Sequence, residues 1–241
     1  MTYCVGMMMS DGLVFMSDTR TNAGLDNIST FKKMKIWEKP HDRVMTLMSA
    51  GNLATTQAVI GLLEERSKSS KKKTPSILTA SSMFQVAQII ADTLQEIIQK
   101  RANIGPNSEE SFKATMILGG QMTQEPSRLF LIYPEGNFIE ASKDSPFFQI
   151  GEVKYGRPIL VRAYHPDLGF KAAIKLLLVS FDSTLKANLT VGAPFDFHYY
   201  ESDTLITGHT GRIKHDDPRF MAISASWSDA LKKALNSLPE F

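Results

Sequence analysis

"MTYCVGMMMSDGLVFMSDTR" (residues 1–20) contains two short apolar runs, 3–9 and 13–18, separated by Ser10-Asp11-Gly12. Asp-Gly between two strand-prone runs is a strong local signal for a β-hairpin. Folding the chain back at residues 10–12 brings Asp18 and Arg20 to the end of the hairpin where Thr2 sits. Chain ends fray unless something ties them down, so a strand starting this close to Met1 implies a held terminus. Thr2 is therefore expected at a fixed position, with an acid and a base beside it.

Outward from the hairpin, a loop rich in Thr, Asn and Gly (19–30) leads to "KKMKIW" (32–37), which reads as a third strand. "RVMTLMSAG" (43–51) reads as a buried strand that stops at Gly51. Asn52 is a good N-cap, and a helix is expected from there through Leu53, Ile60 and Leu63. A second helix is expected over 82–101, with Val86, Ile89, Ile90, Leu94, Ile97 and Ile98 on one face and Ser82 and Gln85 in capping-box spacing. Strands are expected near 112–119, 128–133, 137–141 and 147–150. A helix over 170–186 carries the stripe Phe170, Ala173, Ile174, Leu177, Leu178, Phe181 and Leu185. "FDFHYYE" (195–201) alternates as a strand, and Trp227, Ala230, Leu231, Ala234 and Leu235 mark a last helix. Segregated blocks of strands and helices predict an α+β fold with antiparallel sheets, in one domain over residues 1–241.

Composition narrows the function. With 241 residues and 43% hydrophobic content the chain can bury a sizeable core. Its longest apolar runs are far short of a membrane span, and no secretory leader is recognisable. The single cysteine, Cys4, suits a reducing compartment, so a cytoplasmic protein is expected. A net charge of +2 gives no argument for nucleic acid. The lysine-rich "KSSKKKTP" (68–75) reads as a solvated loop. The five histidines show no ligand spacing, so neither metal nor cofactor is expected.

The chemistry centres on Thr2. Removal of Met1 would leave a threonine with its own α-amine, whose reference pKa of about 7.7–8.0 leaves part of it unprotonated at neutral pH. Nucleophile and general base would then come from one residue. "SDTRTN" (17–22) adds Asp18 and Arg20, and "FKKMKI" (31–36) adds Lys32 and Lys33. A lysine ammonium near Thr2 favours the alkoxide and disfavours a protonated amine, and Asp18 can hold it. "SAGN" (49–52) ends a strand where a helix begins, which makes the Gly51 N–H a candidate oxyanion donor.

Thr2, "DTR" (18–20), "KM" (33–34) and "SAG" (49–51) occur in the order and spacing of the proteasome β-subunit superfamily of N-terminal-nucleophile hydrolases. The chain resembles that superfamily along nearly its whole length. "DTRTNAGLDNISTFKKM", "IGEVKYGRPIL" (150–160) and "VGAPFDFHYYE" (191–201) look most like its bacterial Anbu branch, the ancestral β-subunit. The resemblance implies a four-layer αββα sandwich, two antiparallel sheets between helix layers. It assigns nucleophile and amine base to Thr2, the orienting acid to Asp18, the activating lysine to Lys33, the oxyanion amide to Gly51 and a substrate-backbone contact to Asn22. Lys33 is preferred over Lys32 because the pair Lys33-Met34 matches the motif.

The implied activity is that of a proteasome-type threonine peptidase acting on peptide or amide bonds. The implied assembly is a homo-oligomeric ring or open ring, with the helices at 82–101 and 170–186 offering apolar faces to neighbours. No nucleotide-binding pattern of the type G-x-x-x-x-G-K-[ST] is present, so any unfolding power would come from a separate ATPase or accessory protein. Two departures qualify the reading. Glu152 stands where the superfamily has a serine that assists the amine, and "KANLTVG" (186–192) offers the hydroxyl of Thr190 but no acid. Arg20, Glu152 and Thr190 are therefore supporting positions. A narrow amidase or peptide-ligating enzyme, or a silent ring-forming scaffold, are the alternatives. Lys33→Ala is expected to leave folding intact.

Overall fold

A computed structural model describes residues 1–22, 28–68, 75–102 and 111–240. The opening hairpin forms as β1 (Tyr3–Met9) and β2 (Gly12–Asp18), paired antiparallel with Met9 opposite Gly12, so its loop is Ser10 and Asp11. β10 (Phe147–Gly151) pairs with the other edge of β1. β11 (Phe195–Glu201) pairs with β2, and β12 (His209–Ile213) closes a five-stranded antiparallel sheet ordered β10-β1-β2-β11-β12. The second five-stranded sheet has the order β5 (Met34–Lys39), β6 (Arg43–Gly51), β7 (Ala114–Met122), β8 (Arg128–Ile132), β9 (Phe138–Glu140). A short pair, β3 (Arg20–Asn22) and β4 (Ile28–Thr30), leaves the end of β2.

The helices cover the outer faces. α1 (Leu53–Lys68) and α2 (Met83–Ala102) lie on the second sheet, where Val59, Leu63, Val86, Ile90 and Leu94 pack with Met45, Leu47 and Phe130. α3 (Arg157–Ala163), α4 (Phe170–Ala187) and α5 (Pro218–Asn236) lie on the first, where Leu177 and Phe181 meet Tyr3, Val5, Val14 and Phe195. Between the sheets Cys4, Leu13 and Phe15 pack against Val44, Met48 and Ile117. This is the expected α+β sandwich of four layers, αββα. It explains why β1 and β2 are buried along nearly their whole length: odd positions of β1 face helices and even positions face the other sheet, so both faces must be apolar.

Local signals act as their chemistry predicts. Asn52 caps α1 by accepting from Thr55 N at 3.0 Å, and Ser82 caps α2 by accepting from Gln85 N at 3.1 Å. The reciprocal bond differs from the expected capping box, because Gln85 Oε1 accepts from Ser81 N, one residue earlier. α3, β12 and the β3–β4 pair were not anticipated. α3 is seven residues long with a proline in its first turn, and β12 is a mostly exposed edge strand, so neither shows an apolar period. The expected loop at 68–75 falls mostly outside the described residues.

The apolar stripes of α2 and α4 turn inward and are consumed by the chain's own cores. They are therefore not the faces offered to neighbours, contrary to expectation. Exposed apolar side chains are spread over the surface, among them Phe84 on α2, Val161 on α3 and Leu189, with four on and after α5 at Met221, Leu231, Leu235 and Leu238. No helix among the described residues is long and apolar enough to cross a membrane.

His198 is fully buried between the sheets, stacked on Phe15 and within 2.8 Å of Thr46 Oγ1 through Nδ1. Burial lowers its pKa from 6.5 to about 4. The unfolded chain then binds the extra proton first, so stability is lost as pH falls from 6.5 towards 4. The loss is on the order of 3 kcal/mol by the end of that window. Denaturant unfolding at a series of pH values should show this slope in the parent and a shallower one in His198→Gln. Equal slopes would contradict it.

Candidate active site

Four strand ends and one loop meet at the open end of the hairpin. Thr2 is nearly buried, and its carbonyl accepts from Glu152 N at 2.7 Å. Gly151 makes that approach possible. Its φ is +85°, and a Cβ there would lie 1.9 Å from Thr2 O, so no other residue fits. The next amide, Tyr3 N, donates to Asp18 Oδ1 at 2.9 Å. Asp18 thus fixes the backbone just after the candidate nucleophile. The Tyr3 ring lies on the helix side, where its hydroxyl meets Ser180 Oγ at 2.7 Å and accepts from Gln149 Nε2 at 2.6 Å.

Lys33 lies between β4 and β5, and its Nζ donates to Asp18 Oδ1 at 2.7 Å and to Arg20 O at 2.6 Å. Both partners of this ion pair are buried. Asp18 also accepts from Gly192 N at 3.4 Å. Burial pushes the Asp18 carboxyl above its ordinary value, while the Lys33 ammonium and the two backbone N–H groups pull it back. Lys32, by contrast, is exposed.

A cavity of about 240 Å³ opens beside these groups, lined by Thr2, Lys33, Ser49 and Gly51 and, on α1, by Thr56 and Ile60. Gly51 ends β6 with φ +114°, and a Cβ there would lie 2.5 Å from Lys113 O. The terminal amine, here on Met1, is held below its ordinary value first by burial and then by Lys33. Asp18 and Glu152 oppose that shift. A cationic neighbour and partial desolvation both favour a neutral amine.

The structure thus brings Thr2, Asp18, Lys33 and Gly51 to one site. Arg20 contributes differently from the hairpin-end ion pair with Asp18 that its spacing allows: its carbonyl holds Lys33 and its guanidinium donates to Leu189 O at 2.8 Å. Glu152 is buried and accepts from Asn188 Nδ2 at 2.8 Å. Thr190 faces the same asparagine, donating from Oγ1 to Asn188 Oδ1 at 2.6 Å. The Asn22 side chain lies outside the described residues. Asn188 and Gly192 were missed, because a loop without periodicity gives no signal for which of its polar groups turn inward. Cys4 packs between the sheets with its Sγ 3.9 Å from Ser49 O, and burial pushes its thiol far up, which leaves it unreactive.

The proteasome subunit family model matches residues 2–196. The chain belongs to the proteasome subunit family. Among solved structures it is similar to Anbu, the ancestral β-subunit. A Gly-1 mutant of Anbu from Hyphomicrobium sp. strain MC1 is 46% identical with a TM-score of 0.92, over 100% of this chain and 99% of that one. Anbu from Yersinia bercovieri is 42% identical with a TM-score of 0.92, over 99% of each chain. A helical assembly of the Anbu complex from Pseudomonas aeruginosa is 42% identical with a TM-score of 0.91, over 99% of this chain and 98% of that one. Comparison with curated proteins gives no match.

Proposed function

We propose that this member of the family is an N-terminal-threonine hydrolase acting on peptide or related amide bonds. The observation that carries the reading is the buried Lys33–Asp18 pair, which is bonded to the backbone right after Thr2 and opens on a cavity bounded by Gly51. Removal of Met1 turns the Thr2 nitrogen into an amine. That amine takes the Oγ proton as Oγ attacks the substrate carbonyl, and the Lys33 charge stabilises the alkoxide. The tetrahedral oxyanion sits against the Gly51 N–H. Collapse passes the proton to the leaving amine and leaves an ester on Thr2, which water hydrolyses by the reverse sequence. The test is an electrophile directed at N-terminal threonine, with the adduct mapped to the Thr2 peptide.

A narrow amide substrate is the second reading for the same site, whose cavity of about 240 Å³, with Met1 among its lining, takes about one side chain. Hydrolysis of one defined amide with no cleavage of unfolded protein would select that reading. A silent scaffold is favoured by Glu152 and by the lack of an acid at 186–192, and failure of the electrophile to label would select it.

We also propose a homo-oligomer, a ring or open ring, in a cytoplasmic setting. The helical assembly of the Pseudomonas aeruginosa relative and the exposed apolar residues of α5 support it. Light scattering at micromolar concentration should give a large assembly that Leu231→Glu/Leu235→Glu weakens. A monodisperse monomer in the parent would contradict it.

A further inference from the structure

Two carboxylates and one ammonium surround the terminal amine, and a single loop, residues 188–194, touches both carboxylates. Its Gly192 N donates to Asp18 Oδ2, and its Asn188 Nδ2 donates to Glu152 Oε2 at 2.8 Å. The loop is itself tied down, since Leu189 O accepts from Arg20 and Pro194 O accepts from Thr19 Oγ1 at 2.7 Å. Asn188 is the C-cap of α4, donating its backbone N–H to Thr184 O at 2.8 Å, and its Oδ1 accepts from Thr190 N and Oγ1. Its amide is thereby oriented with Oδ1 towards Thr190 and Nδ2 towards Glu152.

The carboxylates differ in what opposes them. Asp18 is matched by Lys33 at 2.7 Å. Glu152 has no cation within ion-pair distance among the described residues; it accepts from Asn188 and, at 3.3 Å, from Lys154 N. Its own backbone N–H is bonded to Thr2 O, and its charge acts on the terminal amine, favouring the protonated form. Free to turn, that carboxylate would make an ion pair with the ammonium and keep it from acting as a base.

We propose that Asn188 is a positioning residue that holds the Glu152 carboxylate off the Thr2 amine. This rests on the reading of Thr2 as nucleophile and base, and it adds how the amine stays basic beside a glutamate. The other charges facing the amine are Asp18 from β2, Lys33 before β5 and Lys32 at the cavity mouth. Arg20 on β3 and Lys154 in the turn after β10 flank the loop and Glu152. On α4, Lys186 and Asp182 pair with each other at 2.9 Å. None of these substitutes for the Asn188 amide at Glu152.

Periodate tests this without any need for turnover. It cleaves a 1,2-amino alcohol only when the amine is free and unprotonated, so the pH midpoint of Thr2 oxidation, read by mass, reports the amine. Asn188→Ala should move that midpoint up by about one unit, and Glu152→Gln should move it down by a similar amount. Asn188→Ala/Glu152→Gln should match Glu152→Gln alone. Asn188→Asp keeps an oxygen for Thr190 but loses the donor, and should also move the midpoint up if the alanine variant does not fold. A midpoint unmoved in both Asn188 variants overturns the proposal. So does an upward shift that persists in the double variant, which would reflect a loosened, better solvated site. A parent with Met1 retained and no oxidation at any pH would overturn the Thr2 reading as well, which separates the two failures.

Discussion

Lys33→Ala is expected to abolish labelling of Thr2 and to destabilise the protein in the same step. The chemical loss follows from position. Lys33 is the cation paired with Asp18 beside Thr2, and it depresses the terminal amine. Without it the amine is protonated more readily and the alkoxide loses the cation beside it, and both effects weaken attack. The stability loss follows from burial. Asp18 is completely inaccessible, and removing its partner strands a carboxylate at a cost of about 3–5 kcal/mol. This corrects the expectation from sequence that Lys33→Ala leaves folding intact, because the Lys33–Asp18 pair is buried. Asp18→Asn/Lys33→Met should recover much of the stability while remaining unlabelled, which separates the two losses. Lys32→Ala should stay within about 0.5 kcal/mol of the parent, because Lys32 is exposed. Thermal unfolding and adduct mass on the same four samples would decide it. A stable, fully labelled Lys33→Ala would sink the assignment.

Much of the site was legible because strand ends carry it. Asp18 closes β2, and the hairpin returns it to Thr2, so a pairing register read from two apolar runs locates two of the four groups; Gly51 was readable separately, as the end of β6 before a helix. Lys33 was placed by its resemblance to a motif, and only its burial distinguishes it from Lys32. What stayed hidden belongs to the irregular segment after α4. Asn188 and Gly192 act through one side-chain amide and one backbone N–H, and neither group leaves a spacing pattern. The same limit applies to the fold: inward stripes on α2 and α4 were readable as apolar faces, but whether each meets the chain's own sheet or a neighbour is a tertiary fact.

The second large effect concerns the terminus. If Thr2 is both nucleophile and base, a retained Met1 converts its amine to an amide with no basicity, although every side chain is present. Protein made with the host methionine aminopeptidase inhibited should therefore behave like Thr2→Ala. Each should fall by at least the ~10²–10⁴-fold that general-base assistance contributes. Thr2→Ser keeps a hydroxyl and an amine on one residue and should retain a measurable part. A retained Met1 also lines the space beside Thr2 that a substrate would need.

The most direct measurement pairs an intact mass with mapping of the electrophile adduct, on processed and Met1-retaining protein side by side. The account predicts a processed chain beginning at Thr2 with one adduct on its N-terminal peptide, and no adduct on the chain that keeps Met1. An adduct on the Met1-retaining chain at the parent rate, or one mapping away from Thr2, would show that the chemistry does not depend on the Thr2 amine.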